Sequence, residues 1–318
     1  MRRSVLAVSA AACLALSMSV TVAPGVGATP APSSAARAGQ APSPDKVTMP
    51  TRVRGLAGKG GGGSPISYHK GPVMTDPNGV NVYYIWYGDW SYDSQKAPAI
   101  LTTLAQHIGG SPYFGINTSY YDAAKKHVVN AVSYRGGVSV PAAPQYGGTT
   151  LTDSSIQTIV TDAIAGGGFG ATTADPNGVY FVLTAKNVTE TSGFVTKYCG
   201  WHTYATIGSA PVKYSFVGDA TQLGLSSCAV QTTTSPNGDP GADAMASVIA
   251  HELEEAVTDP QLNAWFDGRG YENADKCAWT FGSTYTTSNG ALANVSFGGL
   301  DYLIQRNWSA AKQACGMS

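Results

Sequence analysis

Apolar residues recur along this chain at two spacings. Val80-Asn81-Val82-Tyr83-Tyr84-Ile85-Trp86-Tyr87 is dense in β-branched and aromatic residues, follows the turn Asp76-Pro77-Asn78-Gly79, and predicts a strand. Ala97, Ile100, Leu101, Leu104 and Ile108 then repeat at helical spacing and stop at Gly109-Gly110. His127 to Tyr134 reads as a strand, and Ile156, Ile159, Val160, Ala163 and Ile164 mark a second helix ended by Gly166-Gly167-Gly168. A second Asp-Pro-Asn-Gly turn, Asp175 to Gly178, launches Val179-Tyr180-Phe181-Val182-Leu183. The flanks of the two turns share no constant period, so one turn chemistry is used twice. Gly200 to Ile207 and Val212 to Val217 are strand-like, a helix spans Asp243 to Thr258, and a β-rich stretch runs from Leu292 to Gln305. The order β-α-β-α-β-β-α-β predicts an α+β single domain, a mixed β-sheet with packed helices.

The N-terminal residues follow neither spacing. Arg2 and Arg3 precede an apolar run from Val5 to Val22, broken by Pro24-Gly25, and Val26-Gly27-Ala28 offers the small residues a signal peptidase reads. Residues 1–28 therefore read as a secretory signal peptide, with an uncleaved anchor as the alternative. No other segment is long and apolar enough to span a bilayer, so no membrane partner is expected after signal removal. Residues 29–66 are rich in Pro, Ala, Ser and Gly and include Gly60-Gly61-Gly62-Gly63. That composition cannot offset the entropy of ordering and predicts a disordered tether or pro-segment, with the folded domain at 67–318.

Composition narrows the function classes. The net charge is −1 and charged residues are 12% of the chain, against roughly 25% in an ordinary soluble protein. No polybasic surface exists for nucleic acid or anionic lipid. Apolar residues make up 43%, ample for a core. Beyond Cys13 in the signal, four cysteines remain: Cys199, Cys228, Cys277 and Cys315. An even number in an exported chain predicts two disulfides; of three connectivities, Cys199–Cys228 and Cys277–Cys315 each close a local loop. No C-x-x-C pair is present to suggest structural zinc, and no G-x-S-x-G to suggest a serine hydrolase.

The chemistry concentrates on the last helix. Met245, Ile249, Leu253, Ala256 and Val257 share one arc that faces a core, while His251 and Glu255, four apart, stack on the opposite arc. The pattern His251-Glu252-x-x-Glu255 is related to the H-E-x-x-H zinc signature. An imidazole and a carboxylate one turn apart can chelate zinc, and Glu252 is placed to act as general base toward water. Glu272 and Asp275, beyond the helix, are candidate third ligands, at a distance similar to that of the third ligand in gluzincin-type metallopeptidases. His202 is a further ligand or oxyanion donor. The competing reading is an i,i+4 polar pair on the wet side of the helix. Against it, Glu252, Glu254 and Glu255 crowd a helix C-terminus that already carries partial negative charge, with no Lys or Arg in the helix to compensate.

Several ordered motifs resemble the plant EXORDIUM, or phosphate-induced protein 1, family. They are Tyr68-His69-Lys70-Gly71-Pro72-Val73-Met74, Ile85-Trp86-Tyr87-Gly88, Asn177 to Thr184, Cys199-Gly200-Trp201-His202, Pro236 to Glu255, Leu262-Asn263-Ala264-Trp265, and Ala274-Asp275 with Cys277. The resemblance implies an exported, extracellular or cell-wall protein associated with growth, and its H-E-x-x-E suggests a zincin-like ancestry. It carries over to His251, Glu252 and Glu255, and to the acidic pair Glu272 and Asp275; Glu254 departs from the small residues common there.

Two functions of different class follow. One is a secreted zinc-dependent hydrolase, most simply a metallopeptidase, with a peptide or cell-wall substrate. The other is a non-catalytic extracellular growth or signalling protein whose metal site is structural or vestigial.

Overall fold

Where Val, Ile and aromatic residues are densest, the sheet forms. The computed structural model describes residues 47–50, 64–93 and 96–318. Its strands β1 (Val47–Pro50), β2 (Val80–Tyr87), β3 (Val132–Val140), β4 (Gly178–Thr184), β5 (Tyr198–Ile207) and β6 (Ala210–Gly218) make one sheet, ordered β1-β5-β6-β4-β2-β3. β3, β2, β4 and β6 run parallel, β5 returns antiparallel to β6, and β1 pairs antiparallel with β5. Every residue of central β4 is buried, as a strand covered on both faces requires. The mixed sheet and the α+β class match the pattern of the sequence.

Three helices pack on this sheet: α1 (Lys96–His107), α2 (Asp153–Ala165) and α3 (Pro240–Thr258). α1 lies against α3, and α3 crosses β5 and β6. The two Asp-Pro-Asn-Gly turns sit side by side at the starts of β2 and β4. In each, the Asp carboxylate accepts the Asn backbone N–H at 2.8 Å, and the turns are tied by Asn81 Nδ2 donating to Asp175 Oδ2 at 2.7 Å. Short hairpins finish the chain, Val295–Phe297 with Leu300–Tyr302 and Asn307–Ser309 with Ala314–Gly316. Cys199–Cys228 and Cys277–Cys315 are the disulfides. Among the described residues no helix is long and apolar enough to cross a membrane.

Three expectations need correction. The strand expected at His127 to Tyr134 begins only at Val132. Ahead of it, the Asn130 side chain accepts from Gly110 N and donates to Ser111 O, which holds the backbone in a turn rather than a ladder. The span 29–66, expected as a tether, contributes β1, because the free edge of β5 supplies backbone partners that composition does not reveal; Met49 is buried there, and so is Ile66. The rest of that span, apart from Ser64 to Ile66, and the expected signal peptide, 1–28, lie outside the described residues. Finally, α3 is not amphipathic in the folded chain: from Ala242 to Thr258 only Ala244 is not buried.

Candidate metal centre

Asp239 starts α3 by accepting Ala242 N–H at 3.1 Å, with Pro240 in the first turn. At its other end Asp259 is the cap, its Oδ1 accepting the N–H groups of Asn263 and Ala264 at 2.6 Å each. Met74 N–H and the Asn273 side chain donate to the carbonyls of Val257 and Glu254, which supplies partners to the buried helix end. This covering is what turns the expected wet face into an interior one. His251, Glu252 and Glu255 are all 0% exposed, which removes the reading of a solvated i,i+4 pair.

Two imidazoles and four carboxylates meet there. His251 Nε2 lies 3.1 Å from Glu255 Oε1 and 3.7 Å from Asp275 Oδ1. His202, on β5, places Nδ1 3.3 Å from Glu252 Oε2 and 3.4 Å from Glu255 Oε2, and its Nε2 3.6 Å from Glu272 Oε2. Ligand atoms of His251, Glu255 and Asp275 fall within 4.8 Å of one another, and so do those of His202, Glu255 and Glu272. The geometry thus sorts the two acids that spacing left open: Asp275 stands with His251, and Glu272 with His202. Donors bonded to one zinc ion at about 2.0–2.2 Å sit roughly 3.3–3.6 Å apart in a tetrahedron, a range that the two His251 contacts, 3.1 and 3.7 Å, bracket.

These groups lack ordinary partners. His202 Nε2, both ring nitrogens of His251, Glu252 Oε1, Glu255 Oε2 and Glu272 Oε2 are buried without a hydrogen bond among the described residues. Burial alone makes such groups costly, and a cation relieves the cost. Lys276, next to Asp275 in the same loop, turns away to Asp267 Oδ2 at 3.0 Å and Ser64 O at 3.1 Å.

The ionisations reflect this crowding. Burial pulls His202 down, but Glu252 and Glu255 override it and hold the imidazole up at about 9. His251 is likewise raised well above the usual range, burial being outweighed first by Glu255 and then by Asp275. Burial lifts Glu252 to about 7 against the pull of both imidazoles. In Glu255 burial loses to the two imidazoles, and the carboxyl falls to about 2. Burial lifts Asp275 to about 6, and raises Glu272 well above the carboxylate range with help from Asp259 and Glu255.

Close approach of strand and helix depends on Gly200. A Cβ there would lie 2.5 Å from Val248 Cγ1, 3.0 Å from Phe216 O and 3.2 Å from Glu252 Oε1. Disulfide Cys199–Cys228 anchors the same strand, and Cys277–Cys315 pins the loop bearing Glu272 and Asp275. In the chain-entropy account each contributes about 3–4 kcal/mol. Beneath the centre, Glu254 is raised well above the carboxylate range by burial, against a hydrogen bond from Asn307. Asn307 Nδ2 donates to Glu254 Oε2 at 2.6 Å and to Asn117 Oδ1 at 3.0 Å, and Asn273 Nδ2 reaches Asn117 Oδ1 at 3.3 Å. Sequence reasoning missed this asparagine knot, whose members are far apart in the chain.

With the fold and the centre in place, comparison with known proteins gives the class. A model of the phosphate-induced protein 1 conserved region matches residues 66–317, and the chain belongs to that family. Among its relatives, the chain is 30% identical to Protein EXORDIUM-like 3 of Arabidopsis thaliana over 311 residues, covering 87% of this chain and 91% of that protein. It is 28% identical to Protein EXORDIUM-like 5 of the same plant over 284 residues, covering 79% and 77%. No solved structure matches.

Proposed function

We propose that this chain is an exported zinc-dependent hydrolase of peptide bonds, with His251, Glu255 and Asp275 as zinc ligands and Glu252 as general base. The observation that carries the reading is the state of Glu252: next to the His251–Glu255 pair, it keeps Oε1 buried and without a partner, and its carboxyl is lifted to about 7. A base is most effective when its pKa lies near the working pH. Zinc bound at the three ligands supplies Lewis-acid polarisation of the scissile carbonyl. Glu252 takes the proton of the attacking water at Oε1 and returns it to the leaving amine. His202, 3.3 Å from Glu252 Oε2, holds the carboxylate in that orientation. The arrangement on the helix supports the zincin-like reading of the motif. Two disulfides, the absence of a membrane-crossing helix among the described residues, and residues 1–28 support export.

A second reading rests on a specific observation. His202, His251, Glu252 and Glu255 are all 0% exposed, which suits a closed, structural metal site in a non-catalytic wall or signalling protein. One experiment separates the two. Zinc per chain is measured in protein purified without chelator, alongside hydrolysis of a peptide library, for wild type, His251→Ala and Glu252→Gln. The hydrolase reading expects zinc and cleavage in wild type, loss of His251-dependent zinc in His251→Ala, and zinc without cleavage in Glu252→Gln. Zinc with no cleavage by wild type supports the structural site; no zinc in wild type defeats both.

A further inference from the structure

We infer that the centre holds two divalent cations, not one, bridged by the Glu255 carboxylate. The inference rests on the metal-binding reading above and adds a second ion, held by His202 and Glu272. The central observation is how Glu255 divides its oxygens: Oε1 is 3.1 Å from His251 Nε2, while Oε2 is 3.4 Å from His202 Nδ1, and one ligand atom each of His202, Glu255 and Glu272 lies within 4.8 Å of the others. Each imidazole also has a carboxylate of its own, Asp275 for His251 and Glu272 for His202. The two three-residue sets therefore meet only at Glu255.

Ring chemistry gives the second set the same character as the first. With His202 Nδ1 turned to Glu252 Oε2 at 3.3 Å, Nε2 is the ring nitrogen that faces Glu272 Oε2, 3.6 Å away. A metal-binding histidine is oriented by such a carboxylate on its other nitrogen. His202 Nε2 and Glu272 Oε2 are both buried and have no hydrogen bond among the described residues. Their residues are 0% and 1% exposed, so water does not serve them freely. These two atoms are the second, independent sign of a ligand beside the acidic cluster.

Charge points the same way. Glu252, Glu255, Glu272 and Asp275 are four acids about two imidazoles, and their ion pairs among the described residues are with those imidazoles alone. Uncompensated buried charge is costly, so the second ion is favoured by the acids already present. Paired metal sites hold their ions about 3.5–4 Å apart, a separation a carboxylate with one oxygen on each ion can span. One imidazole and two carboxylates per ion is a donor set for zinc, cobalt or manganese in place of calcium or a soft copper(I) ion.

The test is a count. Full-length protein, stripped with chelator and dialysed, is titrated with cobalt(II) and followed by its visible absorption. The expected result is a break at two equivalents in wild type. Zinc-loaded protein should carry two ions per chain by plasma mass spectrometry, one in His202→Ala and one in His251→Ala. A break at one equivalent, with the single ion lost in both variants, overturns the second site and leaves the zinc reading standing. Two ions that neither substitution removes overturn the placement. No bound metal in wild type overturns this inference and the zinc reading together. The titration uses only wild type, so a variant that fails to fold does not blunt the test.

Discussion

Gly200→Ala probes the contact on which the whole centre depends. The backbone of Gly200 is not in the left-handed region, so an alanine is conformationally allowed and any cost comes from its methyl. That methyl would sit 2.5 Å from Val248 Cγ1 and 3.0 Å from Phe216 O. Neither neighbour gives way easily: a valine in a helix has essentially one rotamer, and the carbonyl belongs to the sheet. Overpacking of this kind costs about 1–3 kcal/mol, and two rigid contacts place it near the top, about 2–3 kcal/mol. For a domain of this size that is a fall in Tm of about 5–10 °C. The third contact, Glu252 Oε1 at 3.2 Å, means that the helix must shift at the proposed base as well as at Val248. The assay is urea unfolding of wild type, Gly200→Ala, Val248→Ala and the double variant. Val248→Ala alone should cost about 2 kcal/mol for a buried side chain truncated. In the Gly200→Ala background it should cost at least about 1 kcal/mol less, because it removes the closest contact. Additivity within about 0.5 kcal/mol, or a Gly200→Ala as stable as wild type, would refute the close packing of β5 on α3.

Two further outcomes follow from the same coordinates. Metal-free protein should lose stability as pH rises from about 6.5 through about 9, because His202 is raised on folding and its contribution is present below the unfolded pKa and gone above the folded one. Zinc-loaded protein should not show this fall, since the ion replaces the proton; urea midpoints across that range for both forms check it, and parallel curves would exclude His202 from the metal's surroundings. In a glycosylating host, Asn187 should carry the glycan of the folded protein. Of the four Asn-x-Ser/Thr sequons, at Asn117, Asn187, Asn294 and Asn307, it is the exposed one, whereas Asn117 and Asn307 are 0% exposed and Asn294 Nδ2 donates to Phe281 O and Ile304 O at 2.8 and 2.6 Å. Peptide mapping that finds sugar on Asn117 or Asn307 in folded protein would contradict their burial.

Periodicity made most of the scaffold legible. β2, β4, β6 and the three helices announce themselves because each buries a face whose apolar spacing survives in one dimension. The environment of α3 did not, since its acids and histidine imitate a wet face; only the loop from Asn263 to Cys277, folding back over the helix end, makes that face interior. Spacing identified His251 and Glu255 as a pair, because four residues along a helix fix a distance. It could not separate Glu272 from Asp275. Their roles depend on the short turn at Asp275–Cys277, where Asp275 N–H donates to Glu255 Oε1 at 2.9 Å and brings that carboxyl to His251. The Glu254 knot was hidden for a related reason: Asn117, Asn273 and Asn307 are far apart in sequence and meet only in the folded chain.

β1 deserves a last consequence. The strand at Val47–Pro50 lies ahead of residue 66, where the match to the family model begins, yet it is the outermost strand of the sheet and lies beside the strand that bears His202. Trimming the chain anywhere between Pro50 and Ser64 turns β1 into a separate peptide, held by main-chain pairing and the buried Met49 side chain. Once it departs, β5 presents an unsealed row of amide and carbonyl groups, the kind of border that captures other extended chains. The length of the N-terminal stretch thus governs whether this molecule meets its surroundings with a finished margin or an adhesive one.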